Sequence, residues 1–373
     1  MLHVDIPDEA DLAQLAAARQ PGCVSIYVPA SPSDHELGRI ELKTLLSETV
    51  ARLDHSDMAR PQVEELHDRV AALVDDGGFW RYQANGLAVF AGTGVLRTFR
   101  LPEPPARTLE VADRFFLKPL LRSVTYPRTA LVLALAQSSV RLIEVLPGTP
   151  PHDVVVPGLP TDIASSIGVP SIRGRAVPGT GRIRGSEGQK VRQAQFADAI
   201  DAALRPVLAG RTEPLILAAA EPMASIFRSA NSYQRLATEI LSGNPEDRSD
   251  SEVAEAAQAV LDRINAADLL ALKATLADHL TSGLAVVELG DVARAATYGA
   301  VDTLLVDVDQ TIRGEVDEDS GAIAFSAGSD SGGCDVVDEI ARRALLTGAR
   351  ILALSAGEVP ADGPCAAMLR YPT

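Results

Sequence analysis

The alternation of helical and strand patterns in the last third of the chain constrains the fold most. The stretch "LGDVARAATYGAVDTLLVDV" reads as an amphipathic helix, a glycine stop and an apolar strand. "DVVDEIARRALLTGAR" repeats the helix, "ILALSAG" repeats the strand, and a last strand is expected near "AAMLRY". Each helix carries an apolar stripe and each strand an apolar run, so both must be buried by stacking helices on a sheet. The pattern predicts α/β layers.

Earlier segments carry related patterns. "CVSIYVPA" predicts a strand, and "ELGRIELKTLLSETVARL" and "QVEELHDRVAALVDD" have helical periodicity. "NGLAVFAGTGVLRTFRL" predicts a hairpin turning at Gly92-Thr93-Gly94. "TALVLALAQSSVRLIEVL" predicts a second strand pair about Gln137-Ser138-Ser139, and "EPLILAAA" a buried strand. Ser249 and Glu252 have capping-box spacing, and helical pattern continues from there, with breaks allowed, towards Ser282-Gly283. A length of 373 residues exceeds one ordinary core. The pattern divides into blocks 1–127, 128–248 and 249–373.

The middle block holds the stretch most out of keeping with its chain, "GRIRGSEGQKVRQAQ". The net charge is -16, yet between Ser171 and Gln195 stand Arg173, Arg175, Arg182, Arg184, Lys190 and Arg192 against one acid, Glu187. A Pro-, Gly- and Arg-rich loop runs from about Val156 to Glu187. Loops of that length are functional or disordered. A helix follows, with Phe196, Ile200, Ala203, Leu204 and Val207 on one face and Gly210 as its stop. Six cations beside glycines suit contact with RNA phosphates, while the bland alternative is a solvated surface loop. The acidic body excludes bulk nucleic acid and DNA, so any RNA contact is local.

Other function classes find little support. Cys23, Cys334 and Cys365 form no CxxC pair, the six histidines are scattered, and no metal or cofactor is indicated. "MLHVDIPDEADL" lacks the blocks of a signal peptide, and no apolar run is long enough to span a membrane, so a cytoplasmic protein is expected. Gly179, Gly181 and Gly185 do not fit phosphate-loop spacing. "SDSGGCD", from Ser329 to Asp335, reads as a loop capping the next helix, and Cys334 has no placed base. The rival enzyme signal is "LLVDVDQT", in which Asp307, Asp309 and Thr311 match the DxDxT pattern of haloacid-dehalogenase phosphatases. Those enzymes need a downstream Lys, and none follows Thr311, so the strand is expected to run into an acidic turn, "GEVDEDSG".

The stretches "CVSIYVPA", "FWRYQANGLAVFAG", "DRFFLKPLL" and "DVARAATYGAVDTLLVDV" together resemble the bacterial homologues of the archaeal and eukaryotic class 1 peptide-chain release factor. That superfamily includes Pelota and Balon. The resemblance covers all three blocks. It implies an N-terminal α/β domain, an RNase H-like middle domain and an α/β/α C-terminal domain. In the release factors a Gly-Gly-Gln tip opens the long middle-domain helix and serves peptidyl-tRNA ester hydrolysis. Here Glu187-Gly188-Gln189 takes its place, which leaves Gln189, with Gly188, the one catalytic candidate. Glycine permits tight turns that Glu resists, and Glu brings negative charge towards phosphates. No Asn-Ile-Lys-Ser run is present, so stop-codon reading is not expected. The resemblance implies a ribosome-associated factor in rescue, hibernation or stress response. Its implied partners are ribosomal RNA, the tRNA acceptor end and a translational GTPase, with the six cations as the RNA contacts. The alternatives are an interaction protein of this fold without ribosome binding, or the Mg-dependent phosphatase.

Overall fold

The computed structural model describes all residues except 1–4, 6, 54–57, 126–128, 148–149, 164–185, 327–333, 361–362 and 373, and omits the side chains of 186–188. The chain is mixed α/β and forms two compact units, Met1–Tyr126 with Ala266–Thr373, and Pro127–Asn265.

The first block contains α1 (Glu9–Ala17), β1 (Cys23–Pro29), α2 (His35–Leu53), α3 (Arg60–Asp75) and α4 (Gly77–Trp80). It continues with β2 (Gly86–Gly92), β3 (Val95–Leu101), β4 (Thr108–Ala112) and α5 (Lys118–Thr125). The strands form an antiparallel sheet in the order β3-β2-β1-β4. The expected hairpin is β2–β3, turned at Gly94 with φ +75°, a conformation glycine adopts without strain. β1 is apolar on both sides of its pleat, so both sheet faces need cover. Val24, Ile26 and Val28 pack with Leu42, Val63 and Val70 of α2 and α3. Cys23 and Tyr27 point to the opposite face.

The middle block holds β5 (Ala130–Leu135), β6 (Val140–Val145), β7 (His152–Asp153), α6 (Ser186–Leu208) and β8 (Leu215–Ala219). Then come α7 (Met223–Ala230) and β9 (Leu236–Ser242), followed by α8 (Asp250–Thr281), which opens the last block and whose first turns pack back on this sheet. The sheet order is β7-β6-β5-β8-β9, with β5, β8 and β9 parallel. β5 and β8 are buried throughout, as strands covered on both faces must be. Phe196, Ile200 and Leu204 of α6 and Phe227 of α7 cover one face. Val253, Ala257 and Val260 of α8 cover the other. The Ser249–Glu252 capping box forms: Ser249 N–H donates to Glu252 Oε2 at 2.8 Å, and Glu252 N–H to Ser249 Oγ at 3.3 Å. α8 runs unbroken for 32 residues.

The last block holds β10 (Ala285–Val286), α9 (Leu289–Thr297), β11 (Val301–Asp307), β12 (Arg313–Val316) and β13 (Ile323–Phe325). β14 (Cys334–Asp335), α10 (Val336–Leu346), β15 (Arg350–Leu354) and β16 (Cys365–Leu369) follow. The main sheet runs β10-β16-β11-β15, and the glycine stop before β11 is Gly299 with φ +69°. Of the expected acidic turn, residues 314–316 belong to β12, while residues 317–321 form the turn that joins β12 to β13 in a small sheet ordered β13-β12-β14. First and last blocks share one core, in which Leu12, Tyr27 and Phe90 join Val292, Val337 and Ile340.

Candidate nucleic-acid interface

The candidate site is the start of α6. On a 3.6-residue period Gln189, Gln193, Phe196, Ile200 and Leu204 fall on one stripe. Gln193, Phe196, Ile200 and Leu204 are buried, but Gln189 is exposed. The stripe therefore outruns its core, and Gln189, Lys190 and Arg192 face solvent. Gly188-Gln189 lies in the first turn. Lys190 and Arg192 are exposed and have no ion-pair partner among the described residues. Arg173, Arg175, Arg182 and Arg184 lie outside the described residues.

The rest of α6 is firmly fixed. Asp201, nearly buried, accepts from Ser232 N–H at 2.7 Å and from Arg205 Nε at 2.9 Å. Burial opposes its charge, but the Ser232 amide and hydroxyl and the Arg205 guanidinium outweigh it and hold the carboxyl below its ordinary range. A groove of about 440 Å³ separates α6 from α7, with Lys190, Ala194 and Asp198 on one wall and Pro222 and Ile226 on the other. The first two turns of the helix carry backbone amide N–H groups, the exposed cations Lys190 and Arg192, and exposed Gln189. Such an end can bind phosphate oxygens.

The rival carboxylates are used otherwise. Asp307 is 1% exposed; its Oδ1 accepts from Asp309 N–H at 2.9 Å and its Oδ2 from Gln310 Nε2 at 2.8 Å. Asp309 Oδ2 accepts from Ala356 N–H at 2.9 Å. Both hold the turn after β11. Among the described residues no group of three or more His, Cys, Asp or Glu is placed to hold a metal ion. Cys334 Sγ lies 3.9 Å from Asp113 Oδ1, and burial pushes its thiol up.

Sequence reasoning missed a second cluster of chemistry-bearing residues. Lys118, Asp335, Asp338, Glu339, Arg342 and Arg343 are all buried. "DVVDEIARRALL" carries five of these charges, and no signal within that stretch announces the shared core that covers them.

Residues 127–267 match the model of bacterial archaeo-eukaryotic release factor family 11. Over these residues the chain resembles that release-factor family. Among solved structures, the archaeal translation termination factor aRF1 is 17% identical, over 98% of this chain and 99% of that one, with a TM-score of 0.24. Dom34 of S. cerevisiae, described as a translation termination-like factor involved in RNA quality control and interacting with Hbs1, is 13% identical over 78% of this chain and 74% of its own, with a TM-score of 0.43. Archaeal Pelota, in a model of its ribosome-bound form with ABCE1, is 13% identical over 99% of this chain and 96% of that one, with a TM-score of 0.38. No curated protein matches the sequence.

Proposed function

We propose that this chain is a cytoplasmic, ribosome-associated factor of the rescue type, acting in rescue, hibernation or stress response without reading stop codons. Its blocks 1–127, 128–248 and 249–373 serve as three functional modules. The observation that carries the reading is the free end of α6, where Lys190 and Arg192 stand exposed and without ion-pair partners among the described residues. Lys190 and Arg192 lie in the second turn of α6, and neither is tied into an ion pair among the described residues. They suit an incoming polyanion, and the four arginines of the preceding loop add to the same charge.

In this reading the partner is ribosomal RNA near the tRNA acceptor end, with a translational GTPase as an accessory partner. Gln189 is held outside the core on the same helix end. Glu187 in place of a glycine argues against peptidyl-tRNA hydrolysis, so the proposed role is occupancy rather than release. Among the described residues no helix is long and apolar enough to cross a membrane.

Co-sedimentation with purified ribosomes across a salt series tests the proposal. Binding that weakens steeply with salt is expected, because phosphate contacts release counterions. Absence of binding at low salt would leave the fold without this function.

A further inference from the structure

A buried ionic cluster lies within the unit formed by the first and last blocks. Asp338, in the first turn of α10, accepts at Oδ1 from the backbone N–H groups of Leu117 at 2.8 Å and Lys118 at 2.7 Å. It thereby holds the start of α5, more than two hundred residues earlier in sequence. A cavity of about 980 Å³ opens beside it, and Asp338, Asp335, Cys334, Phe116 and Arg114 are in its wall.

Charged and titratable groups face Asp338 from each packed element. Asp335, the N-cap of α10, repels it. Lys118 of α5 attracts it, but lies 2.5 Å from Asp335 Oδ2 and also donates to Gln310 O. The Tyr27 phenol of β1 donates to Phe116 O at 2.6 Å, and burial, followed by the charge of Asp338, raises its pKa. Cys334 of β14 also feels the aspartate. Glu339, next in α10, is enclosed by Arg114, Arg342 and Arg343. Asp113, before α5, is taken by Arg114 and Arg19. Two buried aspartates thus share one ammonium.

We infer that Asp338 is a reversible proton-binding site, reached from the cavity, that sets how firmly the start of α5 is held on α10. Burial first, then the charge of Asp335, push its carboxyl up to about 7, against the two amides and Lys118, which act the other way. That lies above its ordinary 3.8. Folding therefore favours the protonated form between those values, so the stability this carboxyl contributes is greatest in mild acid and is lost as pH rises through about 7. The protonated carboxyl keeps Oδ1 as acceptor and sheds the repulsion from Asp335.

The test uses the full chain. Melting temperature, and hydrogen–deuterium exchange of residues 113–121 corrected for intrinsic rates, are measured from pH 6 to 8.5 on wild type and Asp338→Asn. In the wild type both melting temperature and protection should fall across the window with one inflection, and in Asp338→Asn both should be flat. The same inflection in both proteins would overturn the inference. Should Asp338→Asn not fold, Asp335→Asn keeps Asp338 and removes the repulsion, so its inflection must move to lower pH; an unmoved inflection would overturn the inference equally.

Discussion

Arg114 Nη1 donates to Glu339 Oε2 at 2.5 Å across 225 residues of sequence, and the Glu339 side chain is only 2% exposed. Arg342 and Arg343 close on the same carboxylate at 2.7 Å each. Glu339→Gln would leave three buried or half-buried guanidiniums short of their anion. Breaking a buried pair from one side costs about 3–5 kcal/mol, so the denaturation midpoint of the unit formed by the first and last blocks should drop sharply. A midpoint within about 0.5 kcal/mol of wild type, the range of ordinary surface changes, would show that the carboxylate does not hold the blocks together.

Acid should act through the same group. Burial alone would raise the Glu339 carboxyl, but the hydrogen bonds and charge of Arg342, with Arg343 and Arg114, pull it down to about 2. The folded value lies below the ordinary 4.5, so its stabilisation is complete above about 4.5 and is lost as pH falls towards 2. Melting temperature should decline over that interval, and Glu339→Gln should decline less steeply. Parallel declines would assign acid unfolding to other carboxylates.

Phe196 is fully buried, and Gln189, on the same helical stripe, is exposed. Phe196→Ala should destabilise the middle unit by about 3–5 kcal/mol, whereas Gln189→Ala should stay within about 0.5 kcal/mol of wild type. Urea unfolding of both variants checks the contrast. Equal losses would mean that the first turn of α6 is packed after all.

The peptide-release prediction concerns Gly188-Gln189. Hydrolysis needs donors within about 3 Å of the reacting carbonyl and water, delivered by a tight turn that Glu187 resists. Ribosome complexes carrying labelled peptidyl-tRNA should release little or no peptide with the wild-type chain, and Gln189→Ala should leave ribosome association intact. Robust release that collapses in Gln189→Ala would make the chain a hydrolytic factor.

Much of the fold was legible because burial leaves a period in the sequence. The continuous apolar runs of β1, β5 and β8 are strands covered on both faces, and Phe196, Ile200 and Leu204 are the core stripe of α6. β12 and β13 were not legible, since four- and three-residue strands in a charged stretch carry too short an alternation to stand out. The cluster at Asp335, Asp338 and Glu339 was hidden for a related reason. Charges at helical spacing look solvated until a partner 220 or more residues away covers them. Of the site, the sequence exposed charge and position at α6, but not that the helix outruns its core at Gln189.

The account rests most on the exposed cations at the start of α6, and one double variant separates their two readings. Lys190→Glu with Arg192→Glu alters exposed side chains in the second turn of α6, so thermal stability should stay within about 0.5 kcal/mol of wild type. Ribosome co-sedimentation should fall instead, with a shallower salt dependence, because two phosphate contacts are lost. Stability kept and binding lost is the predicted result. Wild-type co-sedimentation by the folded double variant would contradict the account and leave Lys190 and Arg192 as ordinary surface charges.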